Sequence, residues 1–445
     1  MTATAGKGLI EISMALIRSR ILRWGLFFFP VVLYFWYIYA FGVDVIFWDE
    51  WNLIPMIHHS FLGSLTVTDL WEQHNENRML IPNLYFLLLA DVAHFDTKTG
   101  MFVGASFLIF SFALLFAIYR KYSPDRIWTF VPVGYLMFSL VQHENTLWGF
   151  QVAWYMILVC LLGMFACLDR TEKTAWSFAL SVVLAILASF SSLQGLFLWP
   201  AGMVYLFANR YNVSYKLLWI FFFLATSLVY FVGFDFHNTG GAPVFGFLSH
   251  PDNAMVYFFV AIGSVLPVGS NGTKGWIGFI LFLLSVYYAV RAVLSVKSDQ
   301  AYLLPLALMS FVILFDFSLV VGRSGFGVGQ ATSSRYTVYN ILLLIAIYIS
   351  VARDVSKGLV GRKIILLPAV AVGIAVAVQI PSSFVDGLHE GVNLFEFRTK
   401  AAEVLFSYRT ATPKRIENYL WSNEQLVIQR AALADRYRLS VFQKK

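Results

Sequence analysis

Three polar clusters interrupt an otherwise apolar chain, and their residue types suit acid–base and anion-binding chemistry. The first opens at Trp48-Asp49-Glu50-Trp51. Adjacent carboxylates just past an apolar run are candidates for a general base or for divalent-cation ligands. The same segment continues to Glu72-Gln73-His74-Asn75-Glu76-Asn77-Arg78, seven consecutive polar residues. Asn, Gln, Glu and His supply both donors and acceptors for sugar hydroxyls. Arg78 adds a fork that fits a phosphate or a carboxylate. The competing reading of either stretch is a solvated loop with interfacial tryptophans.

The second cluster, Gln142 to Gln151, repeats this vocabulary with His143, Glu144, Asn145, Trp148 and Gln151. The third, Gly322 to Tyr336, sets Gly322, Gly325, Gly327 and Gly329 among Arg323, Ser324, Gln330, Arg335 and Tyr336. Amides freed by glycine, with two arginines, make a phosphate cradle. The segment lacks the GxxxxGK[ST] pattern, so it is not a nucleotide loop. Gln194, in a Ser-Ser-Leu-Gln-Gly turn, is placed beside these clusters. Asp316 sits inside an apolar run and calls for a partner, Arg323 or Arg335. Asp235, His237 and the Asn238–Gly241 turn are weaker candidates. The histidines His58, His59, His74 and His143 show no H-x-x-x-H pair, so no zinc site is expected. A Mg²⁺ or Mn²⁺ ion on Asp49 and Glu50 is the metal reading left open. Cys160 and Cys167 lie in one apolar run without metal or redox spacing.

Clusters this far apart need a scaffold, and composition says which solvent it uses. Hydrophobic residues are 59% of the 445 and charged residues 13%. A chain so apolar must fold in lipid, as an all-α polytopic membrane protein. Its net charge of +7 is read as membrane topology and not as nucleic-acid binding. A span needs about 20 apolar residues. Eleven runs qualify, near 24–43, 101–119, 127–142, 152–168, 175–190, 193–208, 217–234, 276–296, 301–321, 336–352 and 364–380. Two more, 80–95 and 255–268, are read as re-entrant or interfacial. With those two left uncrossed, the cytoplasmic segments hold 17 Lys and Arg, against five in outer loops before residue 381. That asymmetry obeys the positive-inside rule. The N-terminal run is read as a retained anchor with a cytoplasmic N-terminus. The division is then a transmembrane region, 1–380, with a first outer loop, 44–100, and an outer helical tail, 381–445. All three clusters fall on the outer face, where the tail, with Tyr419, Leu420 and Trp421, is placed to cap them.

This layout resembles the GT-C superfamily of multispanning glycosyltransferases that use polyprenyl-phosphate sugars. The likeness rests on Asp49-Glu50 just after the first span, and on the QHENTLWGFQ and GRSGFGVGQATSSRY segments. It implies a bacterial inner-membrane enzyme working at the periplasmic face. The donor would be a polyprenyl-phosphate sugar and the acceptor a glycan or lipid-linked glycan, with inverting transfer. Asp49 would be the catalytic carboxylate and Glu50 its assistant. Substrate contacts would come from His74, Asn75, Glu76, Arg78, His143, Glu144, Asn145, Gln151, Gln194, Arg323, Gln330, Arg335 and Tyr336. Two other readings are a flippase and a polymerase of lipid-linked saccharides. A flippase is disfavoured because transporters place polar groups near the midplane of repeated halves.

Overall fold

The computed structural model describes residues 20–124, 126–237, 246–359 and 363–444. The Asn238–Gly241 turn and the basic Lys7 and Arg18 lie outside these residues. The described secondary structure is helical, apart from a hairpin in which Gln73–His74 pairs with Asn77–Arg78.

Among the described residues, eight helices are long and apolar enough to cross a membrane, fewer than the eleven expected. They are Trp24–Phe41, Thr97–Tyr122, Gly149–Leu168, Val213–Tyr230, Asn271–Ser295, Gln300–Phe326, Ser334–Ser356 and Ile365–Phe406. The three shortfalls have local causes. Residues 127–142 break into Ile127–Phe130, Val131–Met137 and Leu140–Gln142. Pro132 sits in the first turn of the second piece, and the Ser139 hydroxyl accepts from the Val141 amide at the start of the third. Ala175–Ser189 has 15 residues, and Leu193–Ala208 is a short turn followed by the 11-residue helix Leu198–Ala208.

The bundle has two polar ends. At one, Arg353 and Lys357 pair with Asp299 at 2.8 and 2.5 Å, Arg291 with Asp354 at 2.7 Å, and Lys121 with Asp169 at 2.9 Å. At the other, Arg323 pairs with Glu76 at 2.5 Å. The helix Leu303–Arg323 joins them, about 30 Å long at 1.5 Å per residue. The short segments connect the same two ends. Residues 126–144 run from a bond to the Ser356 carbonyl to bonds with Ser334 and Arg335. By contrast, both ends of Leu80–Ala93 stay at the Arg323 end, where the Ile81 amide meets the Phe190 carbonyl and the Ser440 amide the His94 carbonyl. Pro251–Gly263, with 13 residues, lies against Asn271–Ser295 through Phe258, Phe259, Phe279 and Phe282.

Lys363–Phe406 is one helix of 44 residues, unbroken across 380/381. At about 66 Å it is twice the roughly 30 Å hydrocarbon thickness, so half of it lies outside lipid. Gly387 and Gly391 let it lie flush on the bundle; a Cβ at Gly391 would sit 2.6 Å from the Tyr37 ring. Beyond it, Pro413–Tyr419 and Glu424–Arg436 fold back over Trp48–Leu53. Val404, Leu405, Ile416, Leu420 and Val427 share a core with Trp51, Ile54, Phe86 and Trp148. Burial of that apolar surface holds the tail down. Arg430 adds bonds to the Trp51 carbonyl at 2.9 Å and Asn52 at 2.8 Å.

Candidate functional site

The first polar cluster divides between cavity and core. Trp48 stands in the left-handed region at φ 47°, an uncommon conformation for a bulky aromatic residue. It starts the 3-10 turn Trp48–Leu53, in which three residues complete each turn and adjacent side chains point to different sides. Asp49 faces a cavity and Glu50 faces the core. The Glu50 carboxyl is 1% exposed and accepts from the Phe47 amide at 2.9 Å and the Phe150 amide at 3.2 Å. Burial pushes it up to about 8, against the opposing pull of the Phe47 amide and Arg398. Glu50 therefore ties the turn to Gly149–Gln151 and does not share the cavity with Asp49.

The hairpin 73–78 brings His74 and Glu76 to the same place. Asn75 takes the left-handed φ of 51° that the turn requires and asparagine tolerates. Arg78 fastens the base of the hairpin. Its guanidinium donates to the carbonyls of Trp71 at 2.6 Å and Val232 at 2.9 Å. Its backbone amide donates to the Tyr230 hydroxyl at 3.1 Å. Asn77 accepts from the Ser192 hydroxyl at 2.6 Å and the Leu193 amide at 3.0 Å.

The cavity at this end has a volume of about 240 Å³. Of the expected residues, Asp49, His74, Asn75, Glu76, Gln151, Gln194, Arg323, Arg335 and Tyr336 line it. His74 Nε2 lies 3.6 Å from an Asp49 oxygen, beyond hydrogen-bond range and within reach of an ion pair when protonated. Arg323 is held by Glu76. The Arg335 guanidinium has no carboxylate partner among the described residues; it lies over the Tyr336 ring. Asn77, Met79 and Leu319 also line the wall. Asn77 belongs to the polar run singled out in the sequence, while Met79 and Leu319 carried no polar signal and escaped that reading.

Other expected contacts fall elsewhere. Arg78 is spent on backbone carbonyls and holds the hairpin, not a ligand. His143 is half-buried and does not line the cavity. Glu144 accepts from the Arg335 amide at 3.1 Å and Asn145 donates to the Arg335 carbonyl at 2.8 Å, so both position the backbone of Arg335. Gln330 donates to the Tyr336 hydroxyl at 3.3 Å. Asp316 is fully buried, and neither arginine pairs with it. Asp235 contacts Gln73 through its backbone, and its carboxylate accepts from the His237 amide. The Glu50 carboxyl lies beneath the turn while Asp49 faces the cavity, so the two do not present a shared pair of ligands to a cation there. No group of three His, Cys, Asp or Glu suited to a metal occurs among the described residues.

A second cavity, about 430 Å³, meets the first along Asp49, His74, Asn75, Met79 and Phe150. Its remaining wall sets Asn52, Asp69, Glu72, Gln73 and Asn83 among Leu53, Pro55 and Met56, and the tail contributes Trp421 and Arg430. The tail thus builds part of this wall directly. Asp49 stands where the two spaces join. A carboxylate there can take a proton from a group entering by one side, while the arginines hold negative charge on the other.

Comparison with protein-family models, curated proteins and solved structures finds no match for this chain. Fold and site together define an all-helical, multi-pass membrane protein with a charged cavity at one end of its bundle.

Proposed function

We propose that the protein is a membrane glycosyltransferase of GT-C type. It moves a sugar from a polyprenyl-phosphate donor to a glycan or lipid-linked acceptor at the outer face of a bacterial inner membrane. The observation that carries this reading is Asp49 at the junction of two cavities, one of which also holds Arg323 and Arg335. A two-substrate transfer needs this separation. The basic end opposite the site, rich in Arg and Lys, supports a cytoplasmic assignment for that end under the positive-inside rule.

In the reaction, an acceptor hydroxyl oxygen attacks the anomeric carbon from the second cavity. Its proton passes to the Asp49 carboxylate as the new C–O bond forms. The bond between the anomeric carbon and the phosphate oxygen breaks, and polyprenyl phosphate leaves with the electron pair. Arg335 and Arg323 stabilise the charge gathering on that phosphate. His74, within ion-pair reach of Asp49, assists in passing the proton onward. Trp48 and Trp154 line the donor space and offer faces for a sugar ring. Attack opposite the leaving group gives inversion.

The test is transfer of radiolabelled sugar from a polyprenyl-phosphate donor in membranes containing Asp49→Asn protein at wild-type level. The expected loss is about 10²-fold or more. Unchanged transfer by the variant removes Asp49 from the mechanism.

A further inference from the structure

We propose that Glu76 is the resident counter-ion of a phosphate site, and that an incoming phosphate displaces its carboxylate from Arg323. This rests on the reading above only in taking a phosphate-bearing lipid as the ligand.

Both Glu76 oxygens lie 2.5 Å from a terminal nitrogen of Arg323. The pair is about one-fifth exposed on each side, inside the cavity that Arg335 also lines. A guanidinium in such a place needs an anion, since an uncompensated charge out of water is costly. A carboxylate and a phosphate present similar oxygens to the guanidinium fork. The Glu76 carboxylate therefore sits where a phosphate oxygen would bind.

The surroundings confine the exchange to one side chain. The Tyr230 hydroxyl holds the Glu76 carbonyl at 2.8 Å, and Asn77 is fixed to Ser192 and Leu193. Arg78 anchors the strand that follows. The hairpin backbone thus stays in place while the Glu76 side chain turns to another rotamer in the open space beside it. Arg335, without a carboxylate of its own, receives the phosphate first. Arg323 joins only as Glu76 lets go. The affinity for phosphate is thereby self-limited, and the carboxylate returns to help expel the lipid phosphate left after transfer.

The experiment uses the full chain in phosphatidylcholine nanodiscs, with farnesyl phosphate and inorganic phosphate as probes and calorimetry as the readout. Glu76→Gln removes the competing charge and should bind farnesyl phosphate about tenfold more tightly, or ~1.4 kcal/mol. Arg335→Gln should weaken binding in both backgrounds. Glu76→Asp, one methylene shorter, should tighten binding by a smaller factor, and it decides the matter where the glutamine variant does not fold. Wild-type binding that neither Glu76 variant improves overturns this inference alone. Failure of wild type and both variants to bind either probe overturns it together with the phosphate-donor reading.

Discussion

Asp49 and Glu50 differ by one position and by every physical circumstance. Asp49 faces a polar cavity, whereas the Glu50 carboxyl lies in the core beneath the turn. Their types were legible in sequence; their division was not, because adjacency does not say which way a side chain points. Burial raises Glu50 from its ordinary 4.5 to about 8. A raised carboxyl adds stability below its unfolded value and loses it as pH climbs through the folded one. Wild type should therefore lose thermal stability between pH 4.5 and 8. Glu50→Gln should decline less steeply across that window, keeping only a slope at its acid end from Asp44, which burial raises to about 6. It should also be less stable than wild type at pH 5, because a single amide oxygen cannot serve both backbone amides. Scanning fluorimetry from pH 4.5 to 9 reads both slopes; a parallel decline of the two proteins would assign the effect to another group. Arg323 and Arg335 were legible as anion ligands, but the carboxylate already on Arg323 was not, since Glu76 lies 247 positions away.

At the scale of elements, the base of the hairpin 73–78 is fastened by one arginine. Arg78 looked like a ligand because exposed arginines near polar runs often are. Here it is 4% exposed and satisfies carbonyls from two separate segments. Arg78→Met should cost about 3 kcal/mol, through carbonyls left unpaired. It should also detach Glu76 from Arg323. Denaturation of the purified variant measures the first effect. For the second, a methanethiosulfonate reagent should modify a cysteine at Asn75 faster in the variant than in an Arg78 background. Equal rates would mean that the hairpin holds without it. Span counting erred for a related reason. Hydropathy sums apolar residues without asking whether one helix contains them, and Pro132 and Ser139 divide 127–142. The reading of 80–95 as re-entrant or interfacial relied on charge balance across loops, a global constraint; the helix Leu80–Ala93, about 21 Å long, has its two flanks bonded to Phe190 and Ser440.

At the scale of the whole molecule, loops distributed along the chain gather at one end, and the chain's last segment covers them. Composition required a lipid-solvated helical bundle, and loop charges separated its two ends. The tail's packing was only partly legible. Tyr419, Leu420 and Trp421 marked a hydrophobic edge, but nothing local showed that Arg430 would reach the Trp51 carbonyl, 379 positions away. Arg430→Met should loosen the tail over the first loop. Limited proteolysis between residues 408 and 424 should be several-fold faster than in wild type, with the bundle intact. An unchanged cleavage rate would leave the shared apolar core as the sole fastening.

The long helix also acts as a lever. Gly387 is its fulcrum, set against Leu140, and the end of the rod at Phe406 lies about 28 Å further on at 1.5 Å per residue. A methyl group at Gly387 must push the two surfaces apart at the pivot. A tilt of a few degrees there becomes a displacement of about 2 Å at the far end, where the chain turns back toward Trp421. Small steric changes where the rod crosses Leu140 are thus magnified at its free end, at the point where the chain enters the tail that walls the second cavity.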